Sequence, residues 1–205
     1  MIKPEILFSY LDELYPNAHC ELVYSKDYEF LIAVMLSAQT TDKSVNQATA
    51  VLFSKYKSLE ELANADLGDV RFIIQHLGMF QVKAQNVIKI ANILLKQYNG
   101  KVPNDPEALI AMPGVGNKTK NCVLGELFNE PLLAVDTHMQ RVAKRLGIAE
   151  EKDSVEKIEQ KYMSIIPKER VVKINHQIIW FGRYFCKAVS PECSKCKLRQ
   201  FCKNH

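Results

Sequence analysis

The last twenty residues hold four of the six cysteines, Cys186, Cys193, Cys196 and Cys202, in a C-x6-C-x2-C-x5-C run. So short a tail has too few apolar residues to fold around a core of its own, so the thiols must hold it, as a disulfide knot or as a metal site. The start, Met-Ile-Lys-Pro-Glu, lacks the apolar core and small-residue cleavage site of a secretory signal. The longest apolar run, Phe30–Leu36, is too short to span a bilayer. These features place the chain in a reducing, cytoplasmic setting with no membrane partner. Structural disulfides are disfavoured there, and four clustered thiols read as metal ligands. Cys20 and Cys122 stand apart and read as ordinary buried thiols.

The same tail is basic. Lys187, Lys195, Lys197, Arg199 and Lys203 face one acid, Glu192, so the tail alone accounts for the formal net charge of +4. A local basic patch on an otherwise neutral chain suits a polyanion, although a solvated charged tail has the same composition.

The rest of the 205 residues reads as helical. Apolar residues recur at helical spacing over 4–14, 42–56, 66–76, 82–98, 117–128 and 171–185, and 28–36 is apolar throughout except for Glu29. Ser58, with Glu61 three residues on, predicts a capping box; Asp105, Asp136 and Ser154 predict further helix starts. Asn99-Gly100 and Pro131 predict stops. No alternating strand pattern of any length occurs, so the fold class is all-α. No long apolar heptad or strand edge suggests self-association, and the expected state is a monomer.

Between two of these helices lies Met112-Pro113-Gly114-Val115-Gly116-Asn117-Lys118-Thr119. Two glycines one residue apart permit a tight hairpin and close backbone approach. Gly116 leads into a helix N-terminus, where free N–H groups and the dipole favour a phosphate. The pattern is a helix-hairpin-helix, a grip on the DNA backbone that carries no sequence information. A tight αα-corner without a ligand shares the local pattern.

Lys118 falls in the first turn of the second helix. A cation there meets the positive end of the dipole, which favours the neutral amine that a nucleophile needs. Lys120 competes with it. At ~100° per residue it lies nearer the stripe of Val123, Leu124 and Leu127, so periodicity predicts a partly buried lysine there and does not choose the nucleophile. Eighteen residues after Lys118, Asp136 opens a helix in Val135-Asp136-Thr137-His138, where an ordinary N-cap explains it locally.

These pieces resemble the endonuclease III family, the iron–sulfur branch of the helix-hairpin-helix DNA glycosylases. The carrying residues are M-P-G-V-G-N-K-T at 112–119, A-V-D-T-H at 134–138, G-R-Y-F-C at 182–186, L-S-A-Q-T-T-D at 36–42 and the cysteine tail. The resemblance covers essentially the whole chain. It implies two helical domains with a DNA cleft between them: a six-helix domain over 21–130, and a cluster domain combining 1–20 with 131–205. It implies a [4Fe–4S] cluster on Cys186, Cys193, Cys196 and Cys202. It makes Lys118 the Schiff-base lysine and Asp136 the essential acid. Gln39 matches the residue that fills the gap left by an extruded nucleotide, and Met79 stands where the family has a wedging leucine. Gly114, Gly116, His138, Lys195 and Lys197 are the remaining expected DNA contacts.

The implied function is base excision repair: removal of oxidised pyrimidines from double-stranded DNA, then cleavage of the abasic site 3′ to the lesion by β-elimination. The implied location is cytoplasmic, nucleoid-associated in a bacterium. The chain departs from the family in the 187–192 loop, usually more basic, and at Lys120, where a small residue is common. Three rivals share parts of the pattern. An adenine glycosylase lacks the hairpin lysine and carries a further domain. A DNA-binding module needs neither Lys118 nor Asp136. A zinc site could use the four thiols, although the spacing lacks paired C-x2-C knuckles.

Overall fold

A computed structural model describes residues 2–203; Met1, Asn204 and His205, the outer limits of the expected cluster domain, lie outside the described residues. Every regular element among the described residues is helical. None of these helices is long and apolar enough to cross a membrane. The chain divides into two compact units, one over 21–128 and the other over 1–20 with 129–205.

The continuous unit contains α2 (Asp27–Leu36), α3 (Asp42–Lys55), α4 (Leu59–Ala63), α5 (Leu67–Ile74), α6 (Phe80–Tyr98), α7 (Pro106–Ile110) and α8 (Asn117–Phe128). It therefore holds seven helices rather than the expected six. The five-residue α4 and α7 count separately because each has its own cap: Ser58 Oγ accepts from the Glu61 amide, and Asp105 accepts from the amides of Glu107 and Ala108. The capping box at Ser58 is displaced by one residue, since Glu61 Oε2 receives the Lys57 amide at 2.6 Å. Helix α2 is buried from Tyr28 to Leu36, which explains the apolar run Phe30–Leu36, and the buried Glu29 carboxylate accepts the Ser25 and Lys26 amides at the helix start. Val45, Leu52, Leu62, Ile74, Val87, Ile90 and Leu94 complete the core around it. At the end of α6, Asn99 and Gly100 both take left-handed torsions, and the Gly100 amide reaches back to the Leu94 carbonyl at 2.9 Å. That is the glycine-type helix stop expected from Asn99-Gly100.

The discontinuous unit contains α1 (Pro4–Leu14), α9 (Thr137–Arg145), α10 (Val155–Met163) and α11 (Val171–Trp180). Leu7, Phe8, Leu11, Met139, Val142, Tyr162, Ile174 and Phe181 share one core there. The helix expected to run from 171 to 185 changes character at Phe181. Residues 181–185 form a wider π turn, closed by the Cys186 amide on the Phe181 carbonyl at 2.7 Å. Phe181 and Phe185 stack with centroids 5.4 Å apart, and Tyr10 meets both edge-on. Beyond Cys186 the described tail has only 3₁₀ turns, at Cys193–Lys195 and Arg199–Phe201. Cys20 and Cys122 are half-buried rather than buried.

Candidate functional site

Helix α7 ends at Ile110, and the hairpin closes with the Val115 amide on the Met112 carbonyl at 3.1 Å. The two glycines serve different needs. Gly114 has φ +80°, and a Cβ there would lie 2.6 Å from Asn86 Nδ2 and 3.1 Å from Met35 Cγ. Gly116 faces open space, with nothing within 4 Å of where a Cβ would stand. The Gly116 carbonyl accepts the Lys120 amide at 2.9 Å, so α8 starts directly from the exposed end of the hairpin. Lys118 is exposed in the first turn, behind Gly116. Lys120 is half-buried, as periodicity predicted, with Nζ 3.4 Å from Asn117 Oδ1.

Gln39 and Met79 belong to this unit as well. Both are exposed and both hold left-handed backbones, with φ +54° and +57°. Outside glycine, and apart from Asn and Asp, such torsions are uncommon and cost energy. Gln39 occupies the third position of a turn closed by the Thr40 amide on the Ser37 carbonyl at 3.0 Å. Met79 precedes α6 without capping it.

In the other unit Asp136 caps α9: its Oδ1 accepts the Met139 amide at 2.8 Å, and the residue is half-buried. His138 packs against the π turn. A Cβ on Gly182 would fall 2.8 Å from His138 Cβ, so only glycine allows this approach. Arg141 Nη2 donates to His138 Nδ1 at 3.2 Å. A guanidinium cannot accept, so Nδ1 is the accepting nitrogen in this contact.

Arg141 and Arg145, four residues apart on α9, grip the start of the cysteine tail. Arg141 donates to the carbonyls of Gly182 at 2.6 Å and Cys186 at 3.2 Å. Arg145 donates to the Lys187 carbonyl at 2.8 Å and to Cys186 Sγ at 3.3 Å. Burial lowers the Arg141 pKa and the neighbouring Arg145 charge lowers it further, with the Cys186 thiol and Asp136 acting in opposition. Sequence reasoning missed both arginines. Their spacing of four on one helix face was the available signal.

Cys186, Cys193, Cys196 and Cys202 line one cavity of about 270 Å³, together with Phe181, Phe185 and Arg145. Burial pushes the Cys196 thiol up, and the other three thiols add to the rise. Among the described residues no three Cys, His, Asp or Glu side chains converge as ligands of a single ion would. Four sulfur donors around one cavity are nonetheless a donor set that suits a soft metal group.

Lys195 and Lys197 both meet carboxylates. Lys195 pairs with Glu192 at 3.1 Å, and Lys197 pairs with Glu13 at 2.6 Å while lying over the Tyr10 ring. Lys187 approaches Glu192 at 3.8 Å and Lys203 approaches Glu150 at 3.5 Å. Four of the tail's five cations thus lie beside carboxylates of their own unit, and a phosphate would compete with Glu13, Glu150 and Glu192 for them.

Residues 32–168 match the HhH-GPD superfamily of base excision DNA repair proteins. The chain is 43% identical over 199 residues to endonuclease III of Bacillus subtilis (strain 168), covering 97% of this chain and 91% of that protein. It is 43% identical over 192 residues to endonuclease III of Escherichia coli (strain K12), covering 94% and 90%. A solved structure of a trapped endonuclease III–DNA covalent intermediate matches it with TM-score 0.92 and 42% identity, over 99% of this chain and 97% of that one. The chain belongs to the endonuclease III family.

Proposed function

We propose that this chain is a bifunctional DNA glycosylase and abasic-site lyase that removes oxidised pyrimidines from duplex DNA. The observation that carries this reading is Lys118, exposed in the first turn of α8 beside the open face of Gly116. The hairpin amides take a phosphate of the damaged strand, and Gln39 and Met79 fill the stack while the damaged nucleotide is turned out. Gly114, His138, Lys195 and Lys197 complete the proposed contacts, the two lysines after release from their acids.

The neutral Lys118 amine attacks C1′ of the sugar. The glycosidic bond breaks, and its electron pair leaves with the base. Asp136 as a carboxylate stabilises the cationic charge that develops on the sugar and helps take the proton from the lysine nitrogen. The ring opens to an imine between Nζ and C1′. A proton then leaves C2′, and the C3′–O bond breaks with its electrons on the departing phosphate.

The four cysteines of the tail would hold a [4Fe–4S] cluster. When bound, it supplies a fixed cross-link for a segment without a core, and no step of the reaction passes through it. The domain limits that go with this reading are 21–130 and 1–20 with 131–205. The enzyme acts as a monomer on genomic DNA, in the cytoplasm, and at the nucleoid where the host is a bacterium.

Borohydride trapping on abasic duplex tests the nucleophile. The wild type and Lys120→Gln give a covalent adduct, and Lys118→Gln gives none. An untrappable wild type that still binds the duplex would leave only a DNA-binding module. Asp136→Asn keeps the helix cap, because Asn and Asp cap about equally, so its melting temperature holds while activity falls by about a hundredfold or more. Absorbance near ~400 nm, lost in Cys196→Ser, identifies iron–sulfur; a colourless protein with one bound zinc would overturn that assignment.

A further inference from the structure

We propose that Lys83 is a positioning residue for duplex opening: its ammonium fastens the loop that presents Gln39 to the start of α6, where Met79 stands. The proposal rests on the reading of those two side chains given above. Lys83 lies one turn into α6 and is only 3% exposed, an unusual place for a lysine. Its Nζ donates to the Ala38 carbonyl at 2.7 Å and to Thr40 Oγ1 at 3.1 Å, the two residues that flank Gln39. Its backbone amide donates to the Met79 carbonyl at 3.0 Å. That main-chain bond is the first i→i−4 bond of α6 and places Lys83 one turn from Met79, so its side chain ties the Gln39 loop to the helix start that carries Met79. The loops adjoin directly, since a Cβ on Gly78 would stand 3.8 Å from the Gln39 carbonyl oxygen.

The energetics point the same way. Burial lowers the Lys83 pKa, and both side-chain acceptors are neutral groups. Core packing alone would be met at lower cost by Leu or Met. A buried cation is justified where a carbonyl and a hydroxyl must be held in place, and here they bracket a left-handed glutamine. Lys83 touches no reacting atom. It fixes the orientation of the probes before DNA arrives, so that ordering them is not a cost of binding.

The test compares two substrates in single turnover: duplex carrying thymine glycol, and a single strand carrying an abasic site. Only the first needs the stack opened. Lys83→Met slows excision from the duplex by about tenfold or more, as misplaced positioning groups do. Cleavage of the single strand stays within about twofold of wild type, because the imine chemistry is untouched. Lys83→Arg recovers most of the duplex rate. Lys83→Met combined with Gln39→Ala is no slower than the slower single variant, as expected of groups acting as one unit. Equal losses on both substrates, additive losses, or an unchanged duplex rate would overturn the proposal. If the wild type cleaves neither substrate, the glycosylase reading fails, and amide exchange then decides the anchoring. Faster exchange at Thr40 in Lys83→Met supports the clamp, and unchanged exchange removes it.

Discussion

Gly114 and Gly116 look equivalent in the string Pro-Gly-Val-Gly, yet they carry different constraints. Gly114 combines a positive φ with contacts to Asn86 and Met35 that leave no room for a methyl group. Gly114→Ala should therefore cost about 1–3 kcal/mol in urea unfolding, from backbone strain together with overpacking. Gly116 meets nothing in its own unit and has no positive φ. Gly116→Ala should leave unfolding nearly unchanged and, on the proposed reading of the hairpin as a phosphate grip, weaken binding of undamaged duplex. The sequence made both positions visible as glycines of a hairpin. It could not separate them, because the difference lies in Asn86 and Met35, far away in the chain. Lys83 was invisible for the same reason: its partners Ala38 and Thr40 are distant in sequence, and a lysine at helical spacing reads as surface.

Elements whose starts are set by side-chain caps were mostly legible; α3 is the exception, since the sequence points to Asp42 as its cap and Thr41, one residue earlier, accepts the Ser44 amide instead. Ser58, Asp66, Asp105, Asp136 and Ser154 each accept an amide of the first turn they open. Helix α6 was placed two residues late because Met79 starts it with a left-handed backbone and no cap, a geometry that no residue type announces. The π turn at 181–185 also leaves no periodic trace; it coincides with the close approach of Gly182 to His138, a contact between residues distant in the chain. At the start of α10 the turn closes on Asp153, whose side chain is 1% exposed. It accepts the Glu150 amide at 2.8 Å and Lys161 Nζ at 2.6 Å, with Lys157 at 3.3 Å. The Lys161 ammonium, the Glu150 amide and then Lys157 hold its carboxyl far below the usual carboxylate range, against burial. A depressed carboxylate contributes stability above its unfolded pKa of about 4 and loses it as pH falls toward the folded value. Asp153→Asn should thus melt lower than wild type at pH 7, and thermal scans should show the gap closing progressively below about pH 4.

For the molecule as a whole, charge is arranged differently from what composition implied. Lys197 is held by Glu13, and Tyr10 lies beneath it, so α1 restrains a cation of the cysteine tail. If Lys197 turns to a phosphate on binding, Glu13→Gln should tighten duplex binding at low salt; an unchanged Kd in a salt titration would show that Lys197 stays with α1. Releasing one further phosphate contact would steepen the log–log salt slope by about 0.9. The division into an uninterrupted unit and a split one has a consequence for biosynthesis. Residues 21–128 emerge from the ribosome together and contain all they need for their own core. Tyr24 Oη reaches Glu126 Oε1 at 3.4 Å, so folding of this stretch brings its entry and exit side by side. A long insertion that would otherwise burden loop closure then behaves as a short one. Helix α1 waits with its apolar face uncovered until α9 to α11 are synthesised, and the insert delivers them to it already near at hand.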